Sequence, residues 1–402
     1  CTLNTKALRA LGLFEKIPET IREGVDRDEK GMPSGVMRGP AETYVYKNMP
    51  PQGEAEVLQA LEEAMKLYAS SGITSVQSCD FGTFRVPFRT TLKAYKKLDR
   101  GKKLPLRVNL MAHLDTRESL EDFLSLSIRT GQGSDYCRMG PYKLQPDGSL
   151  GTWSARLRSP YQDKPESRGI WNHSEEEFFS LMYQAHHAGM QLVADAIGDA
   201  CIDMVLNTYE KILGPQGGLQ HRPGIDHCQI TAPQQIERFR NLSIIAGLEF
   251  TFLPSDMPII IRRIGEKRSK NSYNWKEFFL QNVPVAPGSD SPVEFWAPLW
   301  GIQAAVTRKK EGKTFLPEQR LSIEQALRSY TLGSAFASFE EHCKGSLRRG
   351  SFADLVLLRE DPHRVSPEEI KDIPIGATIT GGRVVYRNDS ITPPELDLLR
   401  HP

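Results

Sequence analysis

The sequence predicts an α/β protein built on a parallel sheet. Two observations carry that prediction. Short apolar or β-branched runs alternate with amphipathic helical runs from Gln52 to Tyr330, and strands separated by helices pair in parallel. Four of the short runs also end at or near a side chain with metal-binding or proton-transfer chemistry. Residues 139–144 carry Lys143, 191–197 carry Asp195, 224–229 carry His227, and 283–286 lead into Gly288-Ser289-Asp290. Strand C-termini meet at one mouth in a closed (β/α)₈ barrel, so polar ends spread over the whole series converge there. An open doubly wound sheet explains the alternation too, but no GxGxxG follows the first strand.

Taken in order, the helical period of Val57, Leu58, Leu61, Ala64, Met65 and Tyr68 predicts a helix over 52–70. Residues 73–78 read as a strand, 88–98 as a helix, 106–112 as a strand and 120–128 as a helix. The strand around Lys143 is followed by a long loop, 146–172. Ser174, with Glu177 three residues on, opens a helix over 174–188. Strand 192–194, helix 202–213, strand 225–229, helix 233–242, strand 248–252 and helix 273–281 follow, Val285 closes the series, and 323–330 is helical. That makes seven strands where a closed barrel needs eight, which predicts a first strand lying upstream of Cys1. Residues 351–358, 376–380 and 383–387 read as strands, the last two joined across Gly381-Gly382. The expected organisation is a partial cap segment over 1–48, the barrel over 49–340 and a C-terminal β portion over 341–402.

Bulk properties narrow the function. The chain has 402 residues, 51 Lys+Arg against 50 Asp+Glu, and a net charge of +1. That balance gives no electrostatic reason for a nucleic-acid or anionic-membrane partner. No apolar run approaches the roughly 18 residues that span a bilayer. Six cysteines without CxxC spacing read as reduced thiols, which points to the cytoplasm. A small-molecule substrate is the expected partner, and a homo-oligomer is compatible with the composition.

The strand-end residues suggest specific chemistry. Neutral imidazole makes His227 a candidate metal ligand, against the alternative of a core histidine bonded to a carbonyl. A lysine on a buried strand is costly unless paired or neutral. Lys143 resolves this either by snorkelling to solvent or as a carbamate formed with carbon dioxide, an anionic bridge that suits two metals about 3.5–4 Å apart. Asp290 can hold metal and take a proton from water, or cap a turn. Asp195 can ligate through oxygen or cap the segment before Gly198. His113, after the 106–112 strand, is a candidate for the mouth, as are Cys79 and Asp80. Asp147 and Ser149, in the loop after Lys143, are candidate substrate contacts alongside His113. Trp153 and Trp296 are aromatic candidates for a pocket.

The stretches Tyr142-Lys143-Leu144-Gln145-Pro146-Asp147-Gly148-Ser149-Leu150-Gly151, Ala196-Ile197-Gly198-Asp199, Ile225-Asp226-His227-Cys228-Gln229, Gly288-Ser289-Asp290-Ser291-Pro292-Val293 and Ala353-Asp354-Leu355-Val356 stand in this order. In this the chain resembles the metal-dependent amidohydrolase superfamily, in its amidohydrolase-3 branch with N-substituted formamide deformylase. The resemblance implies a (β/α)₈ barrel with a β-sandwich built from both chain ends. It implies hydrolysis of a C–N bond by metal-activated water, with zinc as the expected ion, one or two per site. On this pattern Lys143 is the carbamylated lysine, His227 a ligand, and Asp290 the last-strand aspartate that binds metal and moves the proton. Two departures stand out: no His-x-His occurs, and Asp195 stands where the family has histidine before Ala-Ile-Gly-Asp. A catalytically degenerate relative with a ligand-binding or regulatory role is therefore the alternative. A barrel glycosidase with paired carboxylates gives no reason for Lys143 and His227.

Overall fold

The computed structural model describes residues 1–50, 52–83, 86–214 and 218–390. The chain divides into two compact units, Cys1–Gly53 and Glu54–Pro402.

The larger unit is organised on seven strands: β1 (Ser75–Ser78), β2 (Arg107–His113), β3 (Cys137–Leu144), β4 (Leu192–Ala196), β5 (Gly224–His227), β6 (Ile245–Glu249) and β7 (Val285–Gly288). They form one sheet in chain order, and every neighbouring pair is parallel. Helices supply the crossovers, among them Phe88–Arg100, Arg117–Leu124, Glu175–His187, Asp199–Leu213 and Pro233–Asn241. A parallel strand covered on both faces needs a near-continuous apolar run. Accordingly every residue of β4 and β6 is buried, whereas the edge strand β1 is only half-buried. Among the described residues no ladder joins β1 to β7. Val76 and Ser78 from one edge and Ala286 and Gly288 from the other nevertheless line the same cavity. The sheet is therefore curled into an open barrel-like trough.

The helix Glu54–Ser70 buries Val57, Leu61, Met65 and Ala69, one face at four-residue spacing. Ser174 accepts the Glu177 backbone N–H at 3.1 Å and so starts the next long helix as expected. One strand lies elsewhere than its sequence suggests. The 248–252 strand is β6, Ile245–Glu249, and Phe252 already opens a short helix, Phe252–Asp256. Gly224 pairs with Ile245 and Ala246 with Val285, so the register of both neighbours draws the earlier half of the apolar run into the sheet.

Beyond the barrel lies an antiparallel sheet of β8 (Leu355–Leu358), β9 (Ile375–Thr380) and β10 (Arg383–Arg387). Gly381 and Gly382 make the β9–β10 turn with φ of 57° and 77°, the left-handed pair that a two-residue hairpin requires. The strand expected from 351 begins only at Leu355, because Asp354 is turned into a buried ion pair with Arg107 at the start of β2.

The smaller unit holds the helices Thr5–Ala10 and Pro40–Asn48 and a ribbon of Val25–Arg27 with Pro33–Met37. Leu8, Leu13, Ile21, Val25, Met37, Ala41 and Val45 form its core. No helix among the described residues is long and apolar enough to cross a membrane.

Candidate active site

Parallel strands deliver their last side chains to one end of the sheet, and here those side chains are ionisable. β3 supplies Lys143, β4 Asp195, β5 Asp226 and His227, β6 Glu249, and the turn after β7 Asp290. All but Asp195 line one cavity of about 830 Å³. Asp195 is buried beside Lys143. The four residues singled out from sequence are thus brought together with two that were not, Asp226 and Glu249.

Backbone conformation explains how neighbours 226 and 227 both reach the cavity. Successive strand residues point to opposite faces. His227 has a φ of 70° and Cys228 of 48°, which ends the alternation and turns the imidazole inward. Asp290 is likewise left-handed, with a φ of 50°. Such conformations cost on the order of 1–3 kcal/mol each for non-glycine residues and cluster at functional sites.

The Lys143 ammonium lies 2.8 Å from Asp195 Oδ1 and 2.9 Å from Asp226 Oδ2. Gln145 Nε2 donates to Asp195 Oδ2 at 2.6 Å, and His227 Nε2 is 3.7 Å from Asp195 Oδ1. Burial favours a neutral Lys143, but the neighbouring carboxylates, Asp195 first and then Asp226, outweigh it and hold its pKa well above the ordinary range. Burial pushes Asp195 up, and Lys143 and His227 bring it below its usual value. His227 is raised, since Asp195, Glu249 and Asp290 outweigh its desolvation. Glu249 is pushed up to about 8, chiefly by burial, so it carries a proton at neutral pH. Burial also raises Asp290. The Cys79 thiol, pushed up to about 12 by burial, is not a thiolate nucleophile.

Glycines make room for these carboxylates. A Cβ at 288 would stand 2.7 Å from Glu249 Oε2, and one at 247 would collide with Asp226 Oδ1. Glu249 Oε2 and His227 Nδ1 are buried without a hydrogen-bond partner. His113 lines the cavity, its Nε2 3.0 Å from Asp115 Oδ1. Trp296 also lines it, whereas Trp153 is covered by the Arg263 guanidinium, 3.6 Å from its ring centroid.

Asp147 and Ser149 are not among the residues that line the cavity. Asp147 is buried, and its carboxylate accepts the backbone N–H groups of Arg156, Ile197 and Gly198 at 2.8, 3.2 and 2.9 Å. It braces the 146–172 loop against the end of β4. Asp147→Ala strands two buried donors, Ile197 and Gly198 N–H, and the part-buried Arg156 N–H; each buried one costs about 1–3 kcal/mol unless water reaches it. The expected loss is about 2–3 kcal/mol in urea unfolding, and Asp147→Asn, which keeps an acceptor, loses less. An alanine variant as stable as wild type would overturn the bracing role.

A parallel α/β sheet that gathers acids, a lysine and a histidine around one cavity at its strand C-termini has the layout of a barrel enzyme. Residues 2–386 match the model of the Amidohydrolase family. The chain is 32% identical over 391 residues to YtcJ of Bacillus subtilis (strain 168), an amidohydrolase candidate, covering 96% of this chain and 72% of that one. It is 23% identical over 398 residues to N-substituted formamide deformylase of Arthrobacter pascens, covering 95% and 71%. Among solved structures it resembles an uncharacterized metal-dependent hydrolase from Pyrococcus furiosus, with a TM-score of 0.70, 27% identity, and coverage of 88% of this chain and 68% of that one. The chain belongs to the amidohydrolase family, and its hydrolase class and a divalent metal are implied by that membership.

The donor types suit such a metal, given the unpartnered His227 Nδ1 and Glu249 Oε2. Their grouping does not: among the described residues no three His, Cys, Asp or Glu side chains are gathered closely enough to hold an ion. The Lys143 ammonium is the cation at which Asp195 and Asp226 meet.

Proposed function

We propose that this chain hydrolyses the carbon–nitrogen bond of a small amide, formamide or cyclic amide. The observation that carries the reading is the facing of Asp290, His227 and Glu249 around one cavity at the strand ends of an amidohydrolase-family fold. On the family pattern the ion is zinc, one or two, with Lys143 as its carbamate bridge; a bound ion would supply Lewis-acid polarisation. The donors are not grouped for that role, so the steps assigned here belong to the side chains alone.

Asp290 takes the proton from the attacking water. A carboxylate raised toward neutral pH is a better base for that purpose than an ordinary one. Glu249, protonated at neutral pH, gives its proton to the departing nitrogen, which cannot leave as an amide anion. His113 on the cavity wall contacts the substrate. Glu249→Gln keeps the shape and removes the acidic proton. It is expected to lower kcat about 10²-fold on unactivated amides and far less on anilides with a strongly electron-withdrawing ring. Equal losses on both substrates would sink the general-acid role.

A second reading has its own observation. The Lys143 ion pairs and Asp195 in the histidine's place favour a relative that binds such molecules without turning them over. Incubating the chain with a panel of amides, with and without added zinc, and measuring amine release by mass spectrometry separates the two. Product release supports hydrolysis; saturable binding without product supports the second reading.

A further inference from the structure

Three imidazoles gather at the far end of the sheet from the cavity. His186 and His187 close the helix Glu175–His187, and His221 closes the short helix Gly218–His221. Those helices lead into β4 at Leu192 and β5 at Gly224. Parallel strands begin at one end and finish at the other, so the cluster lies by the strand starts, opposite the ends that carry His227 and Asp290. None of the three is among the residues that line the cavity.

The ring centroids of His186 and His221 are 4.6 Å apart, with planes at 78°. Two imidazoles bound tetrahedrally to one ion, with Zn–N of about 2.0–2.1 Å, place their ring centres about 5 Å apart. The pair already stands near chelating separation. His187 is 5.5 Å from His186 but is engaged elsewhere: its Nδ1–H donates to the Tyr183 carbonyl at 3.0 Å, and its ring lies 3.9 Å from that of Tyr183. Among the described residues no third donor completes the group, so the remaining ligands would be water. His186 Nδ1 is buried without a hydrogen-bond partner, a defect that a bound ion or ordered water relieves. Burial first, and then the neighbouring His221 and His187, hold the His186 pKa below its ordinary value. It is therefore the neutral imidazole, the form that ligates metal.

We propose that His186 and His221 form a divalent-metal site of their own, for an imidazole-preferring transition ion such as zinc or nickel, separate from the cavity. An ion bound there ties the end of the β3–β4 crossover helix to the turn that starts β5. The proposal rests on the histidine geometry and holds whether or not the chain turns over an amide.

The test uses the purified chain and nickel chloride alone, with hydrogen–deuterium exchange read by mass spectrometry across a nickel titration. In wild type, nickel is expected to slow exchange in residues 183–190 and 218–223. His221→Asn leaves one imidazole and is expected to weaken that protection by about 10²-fold in nickel concentration, since even an outer-shell partner is worth about 10–100-fold in metal affinity. His187→Asn is expected to leave it unchanged. Protection confined to the strand ends at 143–147, 226–229 and 288–291, or protection of 183–190 and 218–223 that His221→Asn does not weaken, overturns the proposal. If His221→Asn fails to fold by circular dichroism, the wild-type pattern still decides, and nickel without effect on 183–190 and 218–223 overturns it.

Discussion

Asp290→Asn is expected to lower hydrolysis about 10³-fold, with KM changed only slightly. The substitution is isosteric, and position 290 keeps its left-handed φ of 50°, which asparagine tolerates. What is lost is the proton acceptor. General-base catalysis by one positioned group contributes typically about 10²–10⁴-fold, and no neighbour takes over the task. Glu249 is already protonated at neutral pH, and Asp195 and Asp226 are held by Lys143. Adding formate or acetate should restore part of the rate if the defect is the missing carboxylate alone. A variant that retains wild-type kcat on the same amide would remove Asp290 from the mechanism, whatever it does to stability. A variant that loses activity together with several degrees of Tm would point to a structural role instead, so both quantities are measured.

The alternation of strands and helices was legible because each parallel strand, buried on both faces, leaves a short apolar run, and Lys143, Asp195, His227 and Asp290 stood out as the polar ends of such runs. Glu249 was missed for a register reason. With the strand set at 248–252, Glu249 falls near its beginning, far from a mouth; with β6 at Ile245–Glu249 it is the last residue. No local signal decides this, because Phe250 and Phe252 are as strand-like as Ile244 and Ile245. Asp226 was missed because strict alternation sends it away from His227, and only the left-handed His227 brings both inward. The partners of Lys143 lie 52 and 83 residues further along the chain (195 − 143 and 226 − 143), a pairing that no spacing encodes. Asp147 shows the opposite case. Its place in a family-like stretch suggests substrate contact, and the structure gives its oxygens three backbone N–H groups.

Asp354→Ala should cost about 3–5 kcal/mol, the usual penalty for leaving one partner of a buried ion pair alone. Asp354 and Arg107 are 7% and 4% exposed in their side chains, and the pair is bidentate, Nε to Oδ2 at 2.7 Å and Nη2 to Oδ1 at 3.0 Å. Burial works against the Arg107 guanidinium, and Asp354 more than offsets it, raising its pKa. The remaining donor, Nη1, reaches the Asp135 carbonyl at 2.8 Å, and the guanidinium lies 3.8 Å from the Phe352 ring centroid. Asp354 Oδ1 also accepts the Gly381 backbone N–H at 2.8 Å, so one carboxylate joins β2 to the start of β8 and to the β9–β10 turn, which lie together at one end of the C-terminal sheet. Removing it strands a charge and a turn donor at once. Asp354→Asn, which can still accept from one of them, should lose roughly half as much. The double change Arg107→Met/Asp354→Leu removes both charges and should recover most of the loss, since apolar replacement of a buried pair is often neutral. Urea unfolding of wild type, Arg107→Met, Asp354→Leu and the double variant gives the coupling directly. A single-variant loss below about 1 kcal/mol, or a double variant no better than the singles, would mean that packing of the C-terminal sheet, and not this ion pair, holds it to β2.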